Sequence, residues 1–133
     1  MANTNTRTLV TSGQVSTIYF TMTSDGTEET DYKLWDASAD SDNPVVITGT
    51  KIMRIMGCVS GDPVVTRVKL EYDADTDVHA VSLPVQQAFD LDYREMGGLH
   101  DRSGTGATGD IFLTTLGLAS GDSMHLVLVV KTR

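Results

Sequence analysis

The residues able to do chemistry are few in this sequence, and their spacing rarely favours it. Gly104-Thr105-Gly106-Ala107-Thr108-Gly109 spells G-x-G-x-x-G. A dinucleotide turn needs a strand before those glycines and a helix after them, because the pyrophosphate rests on the amides at the helix start. Here Asp110-Ile111-Phe112-Leu113-Thr114-Thr115 follows, which is strand-like, and Asp110 places a negative charge where phosphate would approach. The segment therefore reads as a glycine-rich loop. Asp73, Asp75 and Asp77 alternate as the opening of a calcium loop does, since hard oxygen ligands converge when the backbone curls. An EF-hand also needs Gly at its sixth position and Glu at its twelfth, and Val78 and Pro84 stand there. A solvated turn between strands is the expectation, and the same holds for Asp36, Asp40 and Asp42.

His79, His100 and His125 are the three histidines, and no two have the spacing of a zinc pair. Cys58 is the single cysteine, so no disulfide can form within the chain. A nucleophilic thiol needs a partner that stabilises the thiolate. Cys58 lies among Met56, Gly57 and Val59 and reads as a small structural hydrophobe. No G-x-S-x-G elbow occurs. These spacings point away from an enzyme, and no catalytic residue, cofactor or metal is expected.

The background is that of one folded domain. The chain has 133 residues, 40% of them hydrophobic and 21% charged, ordinary for a globular domain and unlike a disordered one. Eighteen acidic residues against ten basic ones give a net charge of −8, which argues against a nucleic-acid partner, whose phosphates require a basic face. The longest apolar run, Leu126–Val130, is far shorter than the ~20 residues of a membrane helix, so no membrane partner is expected. The first seven residues lack the apolar stretch of a secretory signal.

The elements that must carry these residues read as strands. Threonine is frequent, at 18 residues, and its branching at Cβ favours extended backbone. Ser16–Thr23 alternates most clearly, with Ile18, Phe20 and Met22 on one face and Thr17, Tyr19 and Thr21 on the other. Thr30–Asp36 follows the turn Ser24-Asp25-Gly26-Thr27, and the two segments together read as a hairpin. Val45–Thr48 reads as a short strand after the acidic loop Ala37–Pro44. Val64–Tyr72 alternates Val68, Leu70 and Tyr72 with Arg67, Lys69 and Glu71. Val78–Val85 is a weaker strand, Ala88–Tyr93 a possible extended piece, and Gly97–Gly109 a long loop. Asp110–Thr115 and Ser123–Lys131 close the chain, the latter with Met124, Leu126, Leu128 and Val130 on one face. Gln86–Met96 is the best helical window and scores poorly. The expected fold is all-β: an antiparallel β-sandwich or jelly-roll-like barrel of about eight or nine short strands.

Two segments have faces that a sandwich leaves uncovered. Lys51–Val59 reads as apolar on both sides, with Met53, Ile55 and Val59 on one and Ile52, Met56 and Cys58 on the other. The final strand adds Val127 and Val129 opposite its core face. A sheet in a two-layer sandwich buries one face, so loops or a second subunit must cover the other. Ile52, Met56, Val127 and Val129 are the candidate subunit-contact residues. Residues 1–8 read as a polar N-terminal arm ahead of a single β-sandwich domain at 9–133. That arm either frays or adds a strand to a neighbour's sheet, which makes Asn3, Asn5 and Arg7 further candidate contacts.

The opening Met1-Ala2-Asn3-Thr4-Asn5-Thr6-Arg7-Thr8-Leu9-Val10 with Ile18-Tyr19-Phe20-Thr21, and the ending Gly104–Thr115 with Gly121-Asp122-Ser123, resemble small virion structural proteins of tailed bacteriophages. Size, acidity and β pattern most resemble the capsid decoration, or cement, proteins. The resemblance implies a non-enzymatic module, often trimeric, that binds the major capsid protein on the outer capsid surface of the virion and stabilises it. Its motifs are structural, and no individual functional residue carries over. A tail or baseplate protein is the nearest alternative. A carbohydrate-binding β-sandwich for host attachment is another, which would use exposed aromatic platforms drawn from Trp35 and the four tyrosines.

Overall fold

In a computed structural model, residues 3–12, 14–37, 50–100 and 107–132 are described. They form ten strands: β1 (Thr4–Ser12), β2 (Val15–Thr23), β3 (Tyr32–Trp35), β4 (Lys51–Val59), β5 (Arg67–Tyr72), β6 (Val78–Ser82), β7 (Ala88–Asp92), β8 (Leu99–His100), β9 (Ile111–Leu116) and β10 (Ser123–Lys131). One sheet runs β1-β2-β10-β4-β7, with β8 also pairing with β4, and the other runs β3-β9-β5-β6. All the pairings are antiparallel.

From β2 onward the pairings are nested: β2 with β10, β3 with β9, β4 with β7, and β5 with β6. Successive pairs alternate between the two sheets. The chain is thus one long antiparallel ribbon, with its tip at the β5–β6 turn, rolled into two layers. That is jelly-roll connectivity. Local patterning carries no record of it, because nesting is a property of pairs far apart in the chain.

The alternating faces meet in the core. Ile18, Phe20 and Met22 of β2 and Met124, Leu126, Leu128 and Val130 of β10 face Val68, Leu70 and Tyr72 of β5 and Ile111 and Leu113 of β9, all of them buried. The segments Ser16–Thr23 and Thr30–Asp36 do not form the expected hairpin. β3 lies in the opposite sheet and pairs with β9, so Phe20 meets Tyr32 across the core with ring centroids 5.3 Å apart. A register irregularity between Lys33 and Trp35 breaks the strict alternation of β3. Leu34 and Trp35 are both fully buried as a result.

β4 also departs from simple alternation. Val129 of β10 faces Arg54, yet Val130 faces Ile52, leaving Met53 as an extra residue. This β-bulge shifts the phase of the strand. Ile55 and Val59 point inward on one side of it, and Ile52 points inward on the other.

The helical window resolves into β7 followed by a single 3-10 turn at Arg94–Met96, which Gly97 ends in the left-handed conformation. Val78–Val85 shortens to Val78–Ser82, and the long glycine loop includes the two-residue β8. The Val45–Thr48 strand and the acidic stretch 38–44 lie outside the described residues, as do residues 101–106 of the glycine-rich loop.

Candidate docking face

Among the described residues, the outer side of the larger sheet is the broader of the two sheet faces without a second layer. Register aligns its side chains in rows. Thr8, Tyr19, Val127, Met56 and Asp90 form one row across β1, β2, β10, β4 and β7. Val10, Thr17, Val129, Arg54 and Asp92 form the next, and Thr6, Thr21, His125, Cys58 and Ala88 the row on the other side. Tyr19 is 46% exposed at the centre, and Val10 and Val15 are also exposed. Met56, Val127 and Val129 are half-buried. The result is an apolar stripe flanked by threonine on the β1 side.

The β7 side is closed by charge. Arg54 donates from Nε to Asp90 Oδ1 at 2.8 Å, and its Nη2 bonds the other carboxylate oxygen. Asp92 accepts from Arg94 Nε at 2.9 Å, from Nη2 at 2.6 Å and from the Arg94 amide at 3.0 Å. The Arg54 guanidinium holds the Asp90 carboxyl below its ordinary range, and the Arg94 guanidinium holds Asp92 further below. These are exposed ion pairs that neutralise one border of the stripe and contribute little to stability.

The predicted contact residues divide into three groups. Met56, Val127 and Val129 are neighbours on this face. Ile52 is not among them: the bulge at Met53 turns it into the core, where it is fully buried. Asn3, Asn5 and Arg7 do not extend from a free arm. Residues 4–12 form β1 and pair with β2 of the same chain. Asn3 Nδ2 donates to Thr27 O and to Glu29 Oε2, Asn5 Nδ2 donates to Glu29, and Arg7 Nη1 donates to Leu34 O at 3.3 Å. Asn5 and Arg7, at its inward positions, are bonded rather than packed, and Leu9 packs against the edge of the core. Tyr19, Val10 and Val15 complete the stripe and were not among the predicted contacts. The outward parity of Tyr19 was readable, but only long-range register places it beside Val127.

Other chemistry-bearing groups sit apart from this face. The carboxylates of Asp31, Glu71 and Asp77 lie within 4.8 Å of one another. Asp77 thus joins residues distant in sequence rather than Asp73 and Asp75, and Asp73 instead accepts from the Thr108 hydroxyl at 2.7 Å. The Thr114 hydroxyl donates to Glu71, and Lys69 Nζ lies 3.4 Å from the same carboxylate. Asp110 is buried, accepts the Ala37 amide at 2.8 Å and faces Lys33 Nζ at 3.4 Å. Its negative charge supports the start of the β3–β4 connection. A groove of about 450 Å³ crosses the outer side of the smaller sheet between Arg67, Lys69, Ser82, Thr114 and Leu116. Its cations are already engaged, Arg67 with the carbonyls of Pro63 and Thr66 and Lys69 with Glu71. His79, His100 and His125 lie on β6, β8 and β10, all exposed.

Compared with known proteins, the chain matches no protein-family model, no curated protein and no solved structure.

Proposed function

We propose that this protein is a non-enzymatic structural component of a tailed-phage virion that decorates and stabilises the outer capsid surface by binding the major capsid protein. The observation that carries the reading is the outer face of the larger sheet. Tyr19, Met56, Val127 and Val129 form a contiguous stripe there, while the other face of the sheet is consumed by the core. Apolar patches of this kind on folded domains mark interaction surfaces. Four nine-residue strands about 30 Å long and the five-residue β7, spaced ~4.8 Å apart, present roughly 650 Å², most of the ~800 Å² that each partner contributes to a standard interface.

The jelly-roll connectivity fits this reading, since that architecture serves viral shell subunits as well as lectins, although a fold by itself assigns no function. The resemblance at the two chain ends supplies the virion assignment. A module that binds only the assembled lattice stabilises it by mass action, and many copies on one shell act together. An acidic outer surface suits a particle that must stay dispersed. The carbohydrate-binding alternative loses its main platform, because Trp35 is fully buried.

The test uses purified capsids with and without the protein. Decorated particles are expected to survive heating and osmotic shock that burst bare ones. Equal survival overturns the stabilising role, and cryo-electron microscopy density on the tail instead of the head overturns the location.

A further inference from the structure

Histidine is the side chain that changes charge near neutral pH, and one stands in the middle of the docking face. β10 is the third of five strands along the larger sheet. His125 points outward from it and is exposed, one row from Tyr19, Val127 and Met56. Side chains two residues apart on one face of a strand are ~7 Å apart, so His125 adjoins Val127 of the stripe. The undescribed stretches 38–49 and 101–106 meet this sheet beside Lys51 and His100, level with Lys131 at the far end of β10. From His125 to Lys131 the strand rises about 20 Å.

The residues around the imidazole supply no opposite charge. Thr21 of β2 and Cys58 of β4 lie directly opposite it. Tyr19 and Thr23 on β2, Met56 and Ser60 on β4, and Ser123 and Val127 on β10 surround these. Cys58 and Tyr19 are the titratable groups in that set, and neither is a carboxylate. The charges of the face lie further off, in the Arg54–Asp90 and Asp92–Arg94 pairs at the β7 border and in Lys51 and Lys131 at the far end. An imidazolium sealed beneath a partner here loses its hydration and gains no counter-charge from this chain, and an unpaired charge taken out of water is costly. The neutral ring loses far less. Thr6 shares the row but sits on the edge strand β1, where a charge stays in water at the rim.

We infer that docking through this face, which rests on the function proposed above, is switched by the charge of His125. The neutral imidazole seats beneath the capsid protein, and the imidazolium drives the chain off the shell. Mild acid therefore releases the protein, and neutral pH restores binding. An interface that accepts only the neutral ring loses about tenfold in affinity one pH unit below the ordinary histidine value near 6.5. The border carboxylates take no part in this change. Arg54 and Arg94 hold Asp90 and Asp92 below their ordinary range, so both stay ionised at mildly acidic pH.

The test is co-sedimentation of the full chain with purified bare capsids at about pH 7.5 and 5.5. The apparent dissociation constant is expected to rise about tenfold at the lower pH and to recover on return to the higher one. His125→Gln is expected to bind alike at both, with the affinity of the parent at neutral pH. His125→Lys is expected to bind at both as weakly as the parent does in acid. Thermal midpoints matching the parent show that both variants fold. Equal binding of the parent at the two pH values overturns the inference and leaves the proposed function standing, as does tighter binding in acid. An undiminished pH dependence in His125→Gln also overturns it, since His79, His100 or the shell then carries the effect. Absence of binding at either pH removes the proposed function and this inference with it.

Discussion

The phenol of Tyr72, on β5, reaches across the sandwich to Ile52 of β4, whose amide donates to its oxygen at 3.3 Å. The same hydroxyl donates to the carbonyl of Leu99 on β8. One side chain thus ties the smaller sheet to the larger at the point where the bulge at Met53 disturbs the β4–β10 ladder.

Tyr72→Phe keeps the packing and removes both bonds. It leaves a buried amide and a carbonyl without that partner, which costs about 1–3 kcal/mol. Urea unfolding should show a lower midpoint with an unchanged slope, and the Ile52 amide should exchange faster than in the parent protein. An unchanged midpoint would mean that the two bonds contribute nothing net.

Gly57 sits mid-strand at φ +154, where a Cβ would lie 2.0 Å from the carbonyl oxygen of His125 on β10. That obstacle is backbone in a central ladder, so it cannot swing aside. Gly57→Ala is expected to destabilise by about 2 kcal/mol or more, read as a lower thermal midpoint. Ser60→Ala, at an exposed position just past the strand, should move the midpoint by no more than about 0.5 kcal/mol.

Alternation made three strands legible from sequence. The faces of Ile18, Phe20 and Met22, of Val68, Leu70 and Tyr72, and of Met124, Leu126, Leu128 and Val130 are buried as their spacing indicates. The expectations went astray wherever a distant partner sets the phase. Ile52 shares parity with Met56 in the sequence, and only the register against Val129 and Val130 reveals the extra residue that turns it inward. Trp35 is buried by a similar irregularity against β9. The turn Ser24–Thr27 has the same composition whether the chain doubles back in one sheet or crosses to the other, so composition alone does not reveal that β3 pairs with β9. On the candidate face, the outward parity of Met56, Val127 and Val129 was readable, but Tyr19 stood among threonines until register placed it beside Val127.

Trp35 is the single tryptophan and is fully buried, which makes it a reporter for the core. Its emission is expected to be blue-shifted and resistant to acrylamide until the protein unfolds. Trp35→Ala should cost about 3–5 kcal/mol. Ready quenching in the native protein would contradict the placement of β3 beneath the larger sheet.

Asp92 provides a test in pH. Hydrogen bonds from the Arg94 side chain and amide hold its carboxyl well below the ordinary 3.8. A carboxyl whose pKa is lower in the folded state lends stability that is present above the unfolded value and lost as pH falls through the folded one. Acidification below about pH 3.8 should therefore weaken the fold slightly through this group, while changes above that value leave its contribution intact. In a carbon-detected NMR titration, Arg94→Gln should raise the Asp92 midpoint but leave it under 3.8, because the backbone donor remains. No movement of the midpoint would show that the ion pair does not form in solution.

The docking face can be separated from the fold because its side chains point away from the core. Val127 lies between Tyr19 and Met56 in one row, so Val127→Glu places a charge at the centre of the stripe. Val127 is only half-buried in the free chain, and the cost to folding should stay under about 1 kcal/mol, near the centre of the range for single substitutions. An uncompensated charge buried in an interface costs several times more. The variant should therefore fold with a thermal midpoint close to that of the parent and bind capsids at least tenfold more weakly in a co-sedimentation assay. Thr6→Glu on the same face, outside the stripe, separates local from general charge effects and should bind nearly as well as the parent. If both variants bind alike, the stripe formed by Tyr19, Met56, Val127 and Val129 is not the surface that meets the shell.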